Sequence, residues 1–359
     1  MKRLVLVGSG HAHLFVLEGL ARARWTMVET VWIVLESRQV YSGMISGWLA
    51  GDYPLEALTF DLALIARAAR VRLVTGGAVR IDAAGRRVLL ADGTEVTYDV
   101  LSVDVGSLPA KDDLPGVAMH AVPLKPIQRA LALHDVRGPV LVAGGGYAGV
   151  ELALCLRART RARTCLVSKT RSVPSGASHP LAHKALRALQ VHGVEVLLDE
   201  SVIRLEPGRA HLRAGGSVSF ETAVWAGGAR APALLERSGL ALDAHGYLLV
   251  NECLQSPSHP EVFGAGDCTG RAGDVQVPKS GVHAVDQGPI LWRNLQVALA
   301  ARAVSLSYRP RRAATYLINA GDRTGMGEWR GIAVHNRAVW HLKDQIDRRF
   351  MRRFQALRP

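Results

Sequence analysis

The opening ten residues, MKRLVLVGSG (1–10), decide the fold, because a short apolar run from Arg3 to Val7 enters a Gly8-Ser9-Gly10 turn with nothing between. A continuous apolar run of this length suits a strand covered on both faces of a parallel sheet. Glycines directly after it allow a tight turn and a close backbone approach to a pyrophosphate. A helix following from His13 to Ala23 would aim unpaired N–H groups and the positive end of its dipole at the same place. Val31 to Leu35 reads as the next strand, and it ends at Glu36, an acid placed to accept hydrogen bonds from an adenosine ribose. His13 stands where a third glycine would be, which predicts looser packing of helix on strand. His11 and His13 are read as local hydrogen-bonding or pocket residues rather than metal ligands, since two imidazoles need further ligands in compatible geometry.

The pattern returns at PVLVAGGGYAGVELA (139–153), where Gly144, Gly146 and Gly149 follow an apolar strand with full GxGxxG spacing. Two such units predict two nucleotide-binding domains. The strand after the second turn, Thr164 to Val167, leads into Ser168, Lys169 and Arg171, where an acid selective for NAD would be expected. Cations there suit a 2′-phosphate, which favours NADPH over NADH; an exposed loop of no consequence is the other reading.

With 359 residues the chain has room for two or three domains, and 48% hydrophobic with 21% charged residues is ordinary for a globular enzyme. Its net charge of +13 comes largely from arginines set among alanines, as in ARARW (21–25) and LRARTRAR (156–163), read as solvated helix faces. No nucleic-acid-binding motif accompanies the charge, so no nucleic-acid partner is expected. The N-terminus enters a strand without a leader and no apolar run is long enough to span a membrane, which predicts a cytoplasmic protein. Cys155, Cys165, Cys253 and Cys268 form no CxxC and are read as small buried hydrophobes.

Further motifs carry a resemblance. EVFGAGDC (261–268), YDVLSVDVGSLP (98–109) and the weaker VWAGGA (224–229) follow in the order seen in the flavoprotein superfamily with two dinucleotide-binding domains. That superfamily includes pyridine nucleotide-disulfide reductases, type II NADH dehydrogenases and sulfide:quinone reductases. YSGMISGWLAGDY (41–53), PKSGVHAVDQGP (278–289) and LKDQIDRRFMRRF (342–354) resemble, within it, the type II NADH dehydrogenase-like module associated with selenide, water dikinase. No kinase module is expected, since the sequence stops at 359.

The resemblance implies an α/β fold of two Rossmann-like domains. An FAD domain (1–117 and 250–308) would hold an inserted NAD(P)H domain (118–249), with a C-terminal segment (309–359) after it. It implies an FAD site drawn from Gly8, Gly10, His11 and His13, from Glu36 and Ser37, and from Ser42, Gly43 and Met44. Val79, Asp104 and Gly106 join them, with Gly266 against the pyrophosphate and Asp267 on the ribityl chain. Lys279 would place positive charge at the flavin N1–O2 edge. The NAD(P)H site would use Gly144, Gly146, Tyr147, Ala148, Gly149, Ser168, Lys169 and Gly227, while Glu151 either faces the nicotinamide ribose or simply favours the helix dipole.

The implied reaction carries electrons from NAD(P)H through FAD to a quinone or other small acceptor. No cysteine pair precedes residue 155, which argues against disulfide and persulfide chemistry. Type II enzymes carry an AQxxxQ-like stretch at the quinone site, whereas Val282 and Asp286 occupy the matching positions here and Gln287 is offset. The tail from Trp340 to Phe354 is basic and amphipathic. It suits contact with an anionic membrane, or packing over the FAD domain or against a second copy in a homodimer. Two alternatives stay open: a vestigial nicotinamide site with a sulfur or selenium substrate, and a non-enzymatic flavin-bearing module.

Overall fold

A computed structural model describes residues 1–23, 25, 27–110, 113–273, 277–311 and 316–357; Arg24 of the arginine-rich stretch 21–25 lies outside them. Lys2–Val7 is a strand at the centre of a five-stranded parallel sheet. Across that sheet the order is Val262–Gly264, Val100–Val103, Lys2–Val7, Val28–Val34 and Arg72–Thr75. Residues Leu4 to Val7 are buried on both faces, as their unbroken apolar run predicted.

One face of this sheet is covered by the helix His11–Ala23 and the long helix Gly281–Leu299. Glycine makes their close crossing feasible, because a Cβ on Gly19 would lie 2.3 Å from the Trp292 ring and one on Gly288 would lie 2.4 Å from the Phe15 ring. The first helix begins at His11, two residues before the expected start. The packing at His13 is not loose. Its ring is fully buried and fills the missing glycine position, with Nδ1 2.8 Å from the Gly8 carbonyl and Nε2 2.9 Å from Ser102 Oγ. The other face carries an antiparallel meander, Ala78–Asp82, Arg87–Leu90 and Glu95–Thr97, and its core includes Val5, Val31, Ile81, Val88 and Leu101.

The same plan repeats in the middle of the chain. A second parallel sheet runs in the order Ala121–Pro123, Thr222–Trp225, Val140–Ala143, Thr164–Val167 and Val194–Leu197. The helices Tyr147–Thr160 and His179–Val191 and a meander of Val202–Glu206, Arg209–Leu212 and Ser217–Ser219 accompany it. The chain passes between the two units twice, and the two passages pair antiparallel, Leu108 with Arg230 and Pro109 with Ala229. The 156–163 stretch is more than a solvated face. Arg157 and Arg159 are half-buried and donate to the backbone carbonyls of His192 and His134, tying the helix to its neighbours.

The C-terminal segment is a three-stranded antiparallel sheet (Leu317–Asn319, Gly325–Trp329, Ile332–Asn336) followed by the helix Arg337–Gln355. Asn336 caps that helix, its Oδ1 accepting from the Val339 N–H at 3.0 Å. The start of the helix lies flat on the sheet because Gly325 lacks a side chain; a Cβ there would be 2.7 Å from the Trp340 nitrogen. Further along, Met351 and Phe354 are buried, and the rings of Phe350 and Phe354 meet those of Phe15 and Phe60. This settles one face of the tail: its aromatic side packs on the first unit. Leu342 and Ile346 remain outside, 49% and 51% exposed. Among the described residues no helix is long and apolar enough to cross a membrane.

Candidate functional site

The first glycine turn is assembled by backbone bonds. Gly8 N–H donates to the Ile33 carbonyl at 2.8 Å and Gly10 N–H to the Asp104 carbonyl at 3.0 Å. The Asp104 side chain, 1% exposed, lies directly behind the turn and accepts from the N–H groups of Ala12 (2.9 Å) and His13 (3.3 Å) through Oδ2. Only glycine fits at residue 10, since a Cβ would stand 2.0 Å from Asp104 Oδ1. Burial raises the Asp104 carboxyl to about 7 against the pull of those two N–H groups. His13 moves the other way, to about 4, because burial disfavours its charged form. His11 is likewise lowered by burial, with Asp267 opposing, and its ring stands 5.4 Å from Tyr41 and 5.5 Å from Phe350.

Gly266 and Asp267 come to the same place from far along the chain: a Cβ on Gly266 would be 2.5 Å from Asp104 Oδ1. Asp267 Oδ2 pairs with Lys125 Nζ at 2.7 Å, and Ser107 bonds to both. Gly106, at φ 69°, has open space where a side chain would be. Gln287, offset from the expected quinone position, accepts the Gly266 N–H through Oε1 at 2.6 Å and so braces this turn. Asp286 is held bidentate by Arg311, both contacts 2.7 Å. Lys125 and Ser107 were not anticipated as site residues, and Gln287 was weighed only as a glutamine offset from the quinone position; only the glycine and Gly-Asp motifs carried a local signal.

Other expected residues sit further out or are otherwise engaged. Glu36 and Ser37 are exposed at the end of their strand, and it is Gln39 that reaches back to the turn, accepting from Ser9 Oγ at 2.7 Å. Met44 is buried, and Ser42 and Gly43 form a short helical turn with it. Val79 is 53% exposed, beside Arg80, Leu234 and Arg237 in a surface groove. Lys279 Nζ donates to the Thr269 carbonyl and lies 3.7 Å over the Tyr247 ring, with burial lowering its pKa. It borders a cavity shared with Asp267, Arg271, Ser280, His283 and Tyr308.

The second turn leads into a helix without a side-chain cap. Gly144 N–H bonds to the Val167 carbonyl at 2.9 Å, and Gly149 must be glycine because a Cβ would be 1.9 Å from the Gly144 carbonyl oxygen. The helix Tyr147–Thr160 then starts from Gly146 without a side-chain cap, with Ala148 exposed in its first turn and the Tyr147 ring 4.4 Å from that of Tyr316. Ser168 is buried beneath the turn, its Oγ 2.9 Å from Thr170 Oγ1, while Lys169 is exposed and Arg171 pairs with Asp199 at 3.0 Å. Gly227, after the strand Thr222–Trp225, leaves room for the Trp225 indole, which donates to the Ala110 carbonyl at 2.7 Å.

Glu151 points away from the mouth of this turn. It is half-buried against the C-terminal segment, where Oε1 accepts the Asn319 N–H at 2.8 Å with Lys343 Nζ 4.0 Å away. Lys343 in turn donates to Asp347 (2.7 Å) and to the Gly43 carbonyl (2.6 Å), and Tyr41 Oη donates to Asp347 at 3.0 Å. Burial raises the Glu151 and Asp347 carboxyls. At Lys343 burial opposes the charge, but Glu151 and Asp347 outweigh it and its pKa is raised. The helix position of Glu151 was readable; its partner 168 residues later in the sequence was not.

All four cysteines are free and buried, in separate places. Burial pushes the Cys165 and Cys268 thiols to about 12, far from the thiolate range.

With two glycine turns on two parallel sheets established, sequence comparison decides the family: residues 2–288 match the pyridine nucleotide-disulphide oxidoreductase family. The chain belongs to that family. An NADH dehydrogenase-like protein of Mycobacterium tuberculosis is 31% identical over 292 residues, covering 74% of this chain and 72% of its own length. A probable ferredoxin reductase of Castellaniella defragrans is 30% identical over 289 residues, covering 75% and 68%. The crystal structure of sulfide:quinone oxidoreductase from Aquifex aeolicus superposes with a TM-score of 0.82 over 100% of this chain and 92% of that one, at 16% identity. The family member described here therefore has the two-domain oxidoreductase fold.

Proposed function

We propose that this chain is an FAD-dependent dehydrogenase that takes electrons from NAD(P)H and passes them to a quinone or other small acceptor without a redox-active disulfide. One observation carries the reading: a single chain holds two glycine turns of opposite character. The first is closed from behind by Asp104 and flanked by Gly106 and by Gly266–Asp267; the second opens on an uncapped helix start. The proposed division is an FAD unit (1–117 and 250–308), a nicotinamide unit (118–249) and the C-terminal segment (309–359).

The residues at the first turn fit an extended dinucleotide. Ser9, Gly10 and His11 would face its pyrophosphate, Gly106 leaves room for it, and Asp267 offers a carboxylate to hydroxyl groups once Lys125 shares it. FAD bound there would supply a two-electron carrier between hydride donor and acceptor. The protein's part is positioning. Tyr147, under Tyr316, borders the second turn where a nicotinamide nucleotide would enter. Lys169, exposed just after the strand, favours a 2′-phosphate, hence NADPH. The buried cysteines support a route without dithiol chemistry.

Anaerobic mixing of the flavin-loaded protein with each nicotinamide, followed by reoxidation with oxygen, a quinone panel and a ferredoxin, tests donor and acceptor together. Bleaching by NADPH faster than by NADH is expected. The exchange Lys169→Glu should reverse the order. Flavin that neither nicotinamide reduces would sink the proposal. Reduction by sulfide or selenide alone would favour the second reading, for which the absence of an acid after Val167 and the engagement of Arg171 by Asp199 speak.

A further inference from the structure

A helix start that receives a pyrophosphate ordinarily leaves its first N–H groups free for the anion. At the first turn two of them are taken. The donors of Ala12 and His13 are satisfied by Asp104 Oδ2, and Gly10 N–H is satisfied by the Asp104 carbonyl. At the second turn no side chain among the described residues caps the helix start.

Asp104 is wedged between the two segments that would hold the cofactor. The absent Cβ atoms of Gly10 and Gly266 would lie 2.0 and 2.5 Å from the same carboxylate oxygen, Oδ1. Among the described residues no cation pairs with it. From the first helix, the His13 ring is bonded at both nitrogens and lowered to about 4, and His11 is lowered by burial. From the 266–268 turn, the Cys268 thiol is pushed up to about 12, and Asp267, paired with Lys125, is a second acid whose charge adds to the upward push on Asp104. The neighbouring element of its own chain, the strand Val100–Val103, contributes Ser102 but no charge. A diphosphate beside the turn would thus meet a buried carboxylate that two N–H groups hold but no cation neutralises, a repulsion of the kind that water does not screen.

We propose that Asp104 is a positioning residue that must be protonated when FAD binds, so that the protein takes up one proton with its cofactor. The inference rests on the first turn being the FAD site. The wild-type carboxyl is partly protonated near neutrality and further protonation accompanies the diphosphate. The FAD dissociation constant should therefore be flat below about pH 7 and rise up to about tenfold per pH unit above it. Asp104→Asn retains an acceptor oxygen for Ala12 and His13 without the charge. Its affinity should be level from pH 6 to 9 and about tenfold tighter than wild type at pH 8.

Two measurements decide it. FAD fluorescence quenching on apoprotein gives the pH profile of both forms. Calorimetric titration of the wild type with FAD, at pH 8 in two buffers of different ionisation heat, counts protons without needing the variant to fold. Uptake near one proton in the wild type and none in Asp104→Asn is expected. Equal pH slopes in the two proteins, or no uptake by the wild type, would overturn the inference while leaving the functional reading intact. Failure to bind FAD at any pH would overturn both.

Discussion

At the scale of single residues, His13 and Gly10 show how a small motif becomes an exacting site. Neutral His13 contributes stability because its folded pKa of about 4 lies below the ordinary 6.5. That contribution is whole above pH 6.5 and is lost as pH falls towards 4, amounting to about 3 kcal/mol on full protonation. Thermal melts of His13→Gln should therefore show a shallower decline than wild type across this window. Gly10→Ala is a steric test. Its Cβ meets a buried carboxylate held in place by the Ala12 and His13 N–H groups, so urea melts should show a loss of about 2–3 kcal/mol. A cost below about 0.5 kcal/mol would mean that Asp104 is not where the geometry puts it.

At the scale of elements, the C-terminal helix carries two apolar faces with different fates. Phe354 is wholly buried against Phe15 and Phe60, and Phe354→Ala should cost about 3–5 kcal/mol in a denaturant melt. Ile346 is half exposed, and Ile346→Ala should change stability by less than about 0.5 kcal/mol. Lipid contact by this helix would have to use Leu342, Ile346 and the arginines near them, because the aromatic face is occupied. Arg353 reinforces the docking by pairing with buried Glu18 at 2.6 Å.

At the scale of the whole molecule, Lys343 ties three parts together: the Gly43 carbonyl of the first unit, Glu151 of the second, and Asp347 of the tail. Lys343→Met leaves buried Asp347 and half-buried Glu151 without their cation and should cost about 3–5 kcal/mol at pH 8. Both acids already have raised pKa values, so lowering the pH protonates them in the folded variant. The deficit should shrink towards pH 5, as melts at the two pH values would show. A deficit independent of pH would assign the loss to packing alone.

The sequence by itself determined the repeated strand–glycine turn–helix plan and with it the family, because these features are local. A continuous apolar run, and glycines where no Cβ fits, are written within a dozen residues, as at Leu4–Gly10 and Val140–Gly149. What the polar side chains do depends on contacts between distant parts of the chain. Asp104 meets Ala12 across 92 positions, Glu151 meets Asn319 across 168, and Tyr41 meets Asp347 across 306. No periodicity or motif spacing encodes such partners; they arise when separate elements bury the same polar groups and each must find a donor or acceptor. The turn that opens the chain was therefore readable as a dinucleotide site from its first ten residues, and Asp104 as a member of that site; its place behind the turn, accepting from the Ala12 and His13 N–H groups, follows from the pairing of Val100–Val103 with the first strand.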